Sequence, residues 1–207
     1  MLTDTQIIDL SKRMSIPLEG VYFKDELPKK LKTNKTYIVN LQDSVNDDGD
    51  DNNGTHWTFL QISETPKGQI YPFYFDPYGV DPPEIVKKRV QDNFKKFLPH
   101  SKKDIQSLMN NACGFYCLGM AHYVNASKFR KNNLYSDVED FLDMFDDLNT
   151  HSDFKKNEYV LKHFFLSPDP SKKTNMNQSG LLDTIIEDDH GGGIDMMKIP
   201  AGLNMMK

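Results

Sequence analysis

Residues 55–62, THWTFLQI, and residues 69–76, QIYPFYFD, are the two segments that decide the fold. Both are rich in aromatic and β-branched side chains, a composition that favours strands. The SETPKG between them contains a proline and a glycine, which are typical of a turn. The two segments therefore predict an antiparallel hairpin. Pro72 lies inside the second segment, which indicates an edge strand or a bulge, because proline cannot donate a ladder hydrogen bond.

The segments around the hairpin predict one further strand and five helices. TYIVNLQ at 36–42 alternates and is β-branched, so it predicts a strand. CGFYCLGMAHYVNA, from residue 113, predicts a buried central helix because it is apolar on nearly all sides. Capping residues and apolar spacing predict the other helices at 3–14, 84–98, 136–148 and 156–166. The sequence thus predicts an α+β fold with a central mixed or antiparallel sheet flanked by helices.

The distribution of aromatic residues divides the chain into a body and a tail. None of the 13 Phe, nine Tyr and one Trp residues lies beyond residue 166. We therefore assign residues 1–166 to one domain and residues 167–207 to a C-terminal tail. The tail has little material for a core, and its composition predicts a flexible segment.

Composition and charge exclude several classes of protein. A net charge of −5 argues against nucleic-acid binding driven by overall charge. No apolar run is long enough to span a bilayer, and the first residues lack the basic and apolar regions of a secretory signal. Two cysteines are too few for a disulfide framework or a cysteine-rich zinc site. We expect no metal and no cofactor.

His56 and Asp76 lie at the outer ends of the two hairpin segments. Residue 66, in the middle of the turn, is midway between them, so a simple hairpin places the two residues directly opposite each other. Opposed side chains have Cβ atoms about 4.5–5.5 Å apart. At that separation a carboxylate can hold an imidazole in one tautomer and stabilise its cation. A surface His beside a surface Asp is the alternative, and a bulge at Pro72 would shift the register.

Cys113 lies where a loop becomes the buried helix, with Asn110 or Asn111 as a possible cap. A helix N-terminus favours the thiolate, which is the nucleophilic form of cysteine. Gly114 follows directly and allows backbone N–H groups to approach a ligand. Gln106, seven residues before Cys113, offers an amide donor suited to an oxyanion hole.

Two other side chains of the buried helix are not expected to take part. Cys117 lies one turn further along and is expected to be a small core residue. His122 lies nine residues after Cys113, about 180° around the helix. It therefore cannot be the partner of Cys113, and His56 is the better base.

These residues together resemble the adenain family of viral cysteine proteases and its SUMO-protease-like relatives. The resemblance rests on GTHW at 54–57, FDPYG at 75–79, and the spacing of Gln106 to Cys113-Gly114-Phe115. His, acid, Gln and Cys follow one another in the order typical of the family. The likeness covers residues 1–166 and implies a papain-like, adenain-like cysteine protease fold.

The resemblance implies a role for each matched residue. His56 would be the general base and later acid, Asp76 would orient it, and Cys113 would be the nucleophile. Gln106 and the Cys113 backbone N–H would form the oxyanion hole. Trp57 would pack beside the imidazole and limit water, and Gly114 would lie at the substrate. Adenain itself has Glu in place of Asp76, whereas the SUMO-protease branch has Asp.

The family also implies a biological setting. Adenain-like proteases of virophages and related double-stranded-DNA viruses or transposons process capsid proteins. We therefore expect an endopeptidase that matures structural precursors in the virion and the host cytoplasm, not at a membrane. Adenain is activated by DNA and by a disulfide-linked peptide. The acidic charge leaves DNA activation unsupported, and only Cys117 remains for a disulfide.

Two other functions stay open at this point. A deubiquitinase or SUMO-type isopeptidase shares the same catalytic residues and prefers substrates that end in Gly-Gly. An inactive relative that grips Gly-rich peptides is the non-enzymatic alternative. The presence of all four catalytic residue types favours an enzyme over that binding module.

The tail contains sequences that such an enzyme would cut. Family members prefer an aliphatic residue four positions before the cut, followed by small residues. Ile199-Pro200-Ala201-Gly202 has this form, and the glycine run 191–193 has it less well. The tail is therefore expected to be disordered, autoinhibitory or self-cleaved.

Overall fold

A computed structural model describes residues 1–52, 54–126, 133–150 and 154–166, without the side chains of residues 165 and 166. The tail 167–207, with its candidate cleavage sequence Ile199 to Gly202, lies outside the described residues. Within the described ranges, no helix is long and apolar enough to cross a bilayer.

The sheet has four strands in the order β1-β2-β3-β4. They span Gly20–Phe23 (β1), Lys35–Asn40 (β2), Trp57–Glu64 (β3) and Ile70–Phe75 (β4). β1 pairs parallel to β2, and the other two pairings are antiparallel, so the sheet is mixed. β1 was not expected from the sequence, because its four residues, GVYF, show no alternation of polar and apolar side chains. In the structure all four are partly exposed.

Five helices complete the α+β fold. They span Asp4–Arg13 (α1), Glu84–Phe94 (α2), Cys113–Ala126 (α3), Leu134–Leu142 (α4) and Phe154–Leu166 (α5). α2 is shorter than predicted because Lys95 takes a left-handed conformation, with φ of 56°, and ends the helix. α4 begins and ends earlier than predicted, since the Asn133 side chain accepts a hydrogen bond from the Ser136 N–H and caps it.

The hairpin register differs from the predicted one by two residues. Phe59 pairs with Phe75 and Leu60 with Tyr74, so His56 and Asp76 lie just beyond the paired strands and are diagonal neighbours. The prediction of direct opposition is wrong in this respect. Since side chains alternate with a period of two, an even shift leaves both on the same face. Pro72 pairs with Ile62 within a continuous ladder, so β4 is an edge strand without a bulge there.

The core lies on both faces of the sheet. Trp57 and Phe59 of β3 point to the face covered by α3, whereas Leu60 and Ile62 point to the face that carries Val86 and Val90 of α2. α3 is buried along most of its length. β3 is buried from Trp57 to Ile62, including the polar Thr58 and Gln61. Its first residue lies against the first turns of α3, since Cys117 Sγ contacts the Trp57 carbonyl.

The turn that follows β4 is tied to the segment that leads into α3. Gly79 N–H donates to the Asp76 carbonyl at 2.9 Å, and the Pro77 carbonyl accepts from the Ile105 and Gln106 N–H groups at 2.8 and 3.1 Å. Gly79 has φ of +69°, and a Cβ there would lie 2.5 Å from the Lys102 carbonyl oxygen. Glycine is required at this position by both conformation and space. The turn therefore fixes the Gln106 backbone at Pro77, the residue after Asp76.

Candidate active site

The backbone of His56 is held where the chain enters β3. Its carbonyl accepts a hydrogen bond from the Leu41 N–H at 3.0 Å, immediately beyond β2. Gly54, two residues earlier, has φ of +77°, and a Cβ there would approach the Asn40 amide to 2.6 Å. The GTHW sequence thus lets the chain pass close to β2 and turn His56 toward the end of β4.

The His56 imidazole is paired with a fully buried carboxylate. His56 Nε2 lies 2.8 Å from Asp76 Oδ1, and the side chains are 13% and 0% exposed. The Cys113 thiol also interacts with the imidazole, and this interaction raises the pKa of His56. Nε2 contacts Asp76, whereas Nδ1 is buried and has no hydrogen-bond partner among the described residues. Nδ1 is therefore the ring nitrogen left for the thiol. Sequence reasoning expected these three residues together, and the structure brings them together.

The surroundings of His56 favour its cation. Burial lowers the pKa of His56, but the hydrogen bonds and charges of Asp76 and Cys113 outweigh it and raise that pKa to about 9. An imidazole with this pKa is protonated at neutral pH. The arrangement therefore favours an imidazolium beside the sulfur, the state typical of a cysteine–histidine nucleophile.

Tyr78 is a site residue that the sequence did not reveal. Its ring stacks on the imidazole, with centroids 4.5 Å apart and planes 19° from parallel. Its backbone N–H donates to Asp76 Oδ1 at 2.8 Å. Burial, followed by the charges of Cys113 and Asp76, raises the pKa of Tyr78 to about 12, so its hydroxyl stays neutral. The only local signal was its place in the DPYG turn.

Cys113 is the first residue of α3 and is 1% exposed. Ala112 precedes it, and its carbonyl accepts from the Phe115 and Tyr116 N–H groups at 2.9 and 3.0 Å. Asn110, one of the two expected caps, accepts from the Ala112 N–H at 3.2 Å through Oδ1. The thiol thus lies at the positive end of a buried helix, which favours a negative charge on sulfur.

The second cysteine lies in the core, as the sequence indicated. Cys117 is fully buried, and its Sγ lies 3.3 Å from the Trp57 carbonyl oxygen. Both cysteines are free thiols. Burial raises the pKa of the Cys117 thiol well above its ordinary value. The two thiols therefore differ sharply in surroundings although they lie one helical turn apart.

Gln106 lies next to Tyr78 and is 1% exposed. Its Nε2 donates to the Tyr78 hydroxyl and to the Asn110 carbonyl, both at 3.1 Å. Its Oε1 is buried without a hydrogen-bond partner in the described part of the chain. The amide is thus linked to the imidazole through Tyr78.

Trp57 and Gly114 make contacts that the sequence did not indicate. Trp57 is fully buried, its Nε1 donates to the Leu2 carbonyl at 2.7 Å, and the ring that stacks on His56 is that of Tyr78. A Cβ on Gly114 would lie 3.1 Å from Leu2 Cδ1, so this glycine makes room for the N-terminal segment. The ring centroids of half-buried His122 and Phe164 lie 5.8 Å apart.

The chain matches no family model and no curated protein. In the described ranges, no cluster of three or more His, Cys, Asp and Glu side chains could hold a metal ion. The site supplies a thiol, an imidazole held by a carboxylate, and a nearby amide.

Alkylation by iodoacetamide should distinguish the two thiols, because the reagent attacks thiolates. At about pH 6 we expect modification of Cys113 and none of Cys117, which serves as an internal control, measured by peptide mass spectrometry. His56→Ala should slow modification of Cys113 about tenfold or more, because the cation that stabilises the thiolate is lost. The substitution also makes the sulfur more accessible to the reagent. A slower rate therefore could not come from steric hindrance and would reflect loss of the thiolate. An unchanged rate in His56→Ala would contradict the assignment.

Proposed function

We propose that this protein is a cysteine endopeptidase. The observation that carries the proposal is the 2.8 Å contact of His56 Nε2 with Asp76, which leaves Nδ1 without a hydrogen-bond partner among the described residues while the Cys113 thiol interacts with the same ring. A thiol at a helix N-terminus, an imidazole and an orienting carboxylate are the groups that thiol-dependent acyl transfer requires. The matched sequence motifs GTHW, FDPYG and Gln106–Cys113 support the same function.

Hydrolysis in this proposal follows two acyl-transfer steps. The Cys113 thiolate attacks the scissile carbonyl, and His56 Nδ1 gives its proton to the leaving amine, which leaves a thioester on Cys113. His56 then removes a proton from water, which attacks the thioester, releases the acid and regenerates the Cys113 thiolate beside the protonated imidazole. Asp76 holds the ring through both steps. Gln106 and the Cys113 backbone N–H are proposed to stabilise the oxyanion, with Gln106 Nε2 exchanging its bond to the Tyr78 hydroxyl for one to the oxyanion.

The proposed substrates are viral capsid or structural precursors, cut after small residues in Gly-Gly or Ala-Gly sequences. This part of the proposal rests on the resemblance of the motifs to adenain-like proteases of virophages and related viruses. The enzyme is proposed to act in virions and in the host cytoplasm, without a cofactor. The acidic net charge of the chain gives no support to activation by DNA.

Purified full-length protein should cleave peptides that carry an aliphatic residue followed by Ala-Gly or Gly-Gly. Cys113→Ala should abolish cleavage, and His56→Ala should lower kcat/KM by about 10²–10⁴-fold because the proton-transfer group is lost. Cys117→Ala is the matched control and should keep the wild-type rate. Product masses and new N-termini identify the bond that is cut. Cleavage should disappear in a substrate peptide in which valine replaces the Gly before that bond.

Two outcomes would contradict this function. No cleavage of any peptide, together with no reaction toward a Gly-Gly ubiquitin-like suicide probe, would favour a binding protein. Rapid reaction with the probe but none with linear peptides would instead favour the isopeptidase.

We also propose that the tail binds the enzyme's own cleft through Ile199-Pro200-Ala201-Gly202, as a self-substrate or an inhibitory segment. Wild-type protein should lose the mass of residues 203–207 during purification or incubation, and Cys113→Ala should retain its full mass. Cleavage after Gly202 should also stop in Gly202→Val. The proposal is wrong if both proteins keep the full mass and deletion of residues 168–207 leaves peptide cleavage unchanged.

A further inference from the structure

The loop between Gln106 and α3 is held at few points. Leu108 and Met109 at its tip are 81% and 87% exposed, and neither contributes to the core. Two hydrogen bonds to Ser107 shape the tip. The Met109 N–H donates to Ser107 Oγ at 3.1 Å, and the Asn110 N–H donates to the Ser107 carbonyl at 3.2 Å. A loop with so little packing depends on specific polar contacts for its position.

Asn110 supplies three of those contacts. Its carbonyl accepts from Gln106 Nε2 at 3.1 Å, and its Oδ1 accepts from the Ala112 N–H at 3.2 Å. Its Nδ2 donates to the carboxylate of Glu158 on α5. One residue thus connects the Gln106 amide, the start of α3 and a helix distant in sequence.

Asn157, the residue before Glu158 on α5, holds the other end of the loop. Asn157 is fully buried, and its Nδ2 donates to the Ile105 carbonyl at 3.1 Å and to the Asp146 carbonyl at 2.7 Å. Its Oδ1 accepts from the Asp146 N–H at 2.7 Å. Consecutive residues of α5 therefore bind the chain at residues 105 and 110, on either side of Gln106.

We propose that Asn157 and Glu158 are positioning residues that hold the loop 105–110 so that the Gln106 amide lies at the reaction centre. This inference rests on the proposed function and adds α5 to the machinery of the site. The two residues act through Asn110 and the Ile105 backbone, not on the substrate. Their loss should impair stabilisation of the oxyanion while leaving the Cys113–His56 pair intact.

Glu158→Ala is the informative variant, with Glu158→Gln as the conservative one and Lys155→Ala as a control on the exposed face of α5. Glu158→Ala should lower kcat about 10–100-fold with KM within about twofold of wild type, since misplacement by about 1 Å can cost 10²-fold. Glu158→Gln keeps an acceptor for Asn110 Nδ2 and should restore most of the rate. Lys155→Ala should match wild type.

Alkylation of Cys113 by iodoacetamide separates positioning from general damage, because that reaction needs the thiolate and no oxyanion hole. Its rate in Glu158→Ala should equal that of wild type. If peptide cleavage by Glu158→Ala equals that of Lys155→Ala, or if alkylation falls in step with cleavage, the inference is wrong while the proposed function stands. A wild-type protein without hydrolysis would overturn the proposed function and this inference with it.

Discussion

The contact between His56 and Asp76 is the constraint on which the rest of the site depends. It joins the start of β3 to the residue after β4, and Asp76 is fully buried. A buried carboxylate is costly unless a charged or hydrogen-bonding partner compensates it. The imidazole and the Tyr78 N–H both supply such a partner to Oδ1, whereas Oδ2 has no hydrogen-bond partner among the described residues. The same turn carries Pro77. Its carbonyl accepts hydrogen bonds from the Ile105 and Gln106 N–H groups, so the loop that carries Gln106 is held against the turn.

The sheet and α3 place the remaining groups of the site. β3 is buried on both faces, so its register against β4 is fixed and the two hairpin ends stay on one face. α3 packs against β3 and begins at Cys113, which brings the thiol to the imidazole. α5 adds contacts on both sides of Gln106. Strong burial thus positions the thiol and the base, whereas a few polar bonds position the amide.

The sequence predicted the elements better than their relative placement. Apolar spacing was sufficient for α1, α3 and the hairpin strands, and the order of His56, Asp76, Gln106 and Cys113 indicated one site. It could not predict the two-residue shift in register, because turn geometry and packing on both faces decide it. Tyr78 stayed hidden because its stacking depends on that register. The contact of Glu158 with Asn110 joins residues far apart in the chain, which no local pattern encodes.

The most direct measurement is an NMR titration of the His56 ring in wild-type protein and in Asp76→Asn, with the resonance assigned from His56→Gln. The account predicts a wild-type pKa of about 9 for His56. It predicts a lower pKa in Asp76→Asn, because the bond and charge that raise it are lost while burial, which lowers it, remains. A wild-type pKa at or below the ordinary value for histidine, or one that Asp76→Asn leaves unchanged, would contradict the central claim.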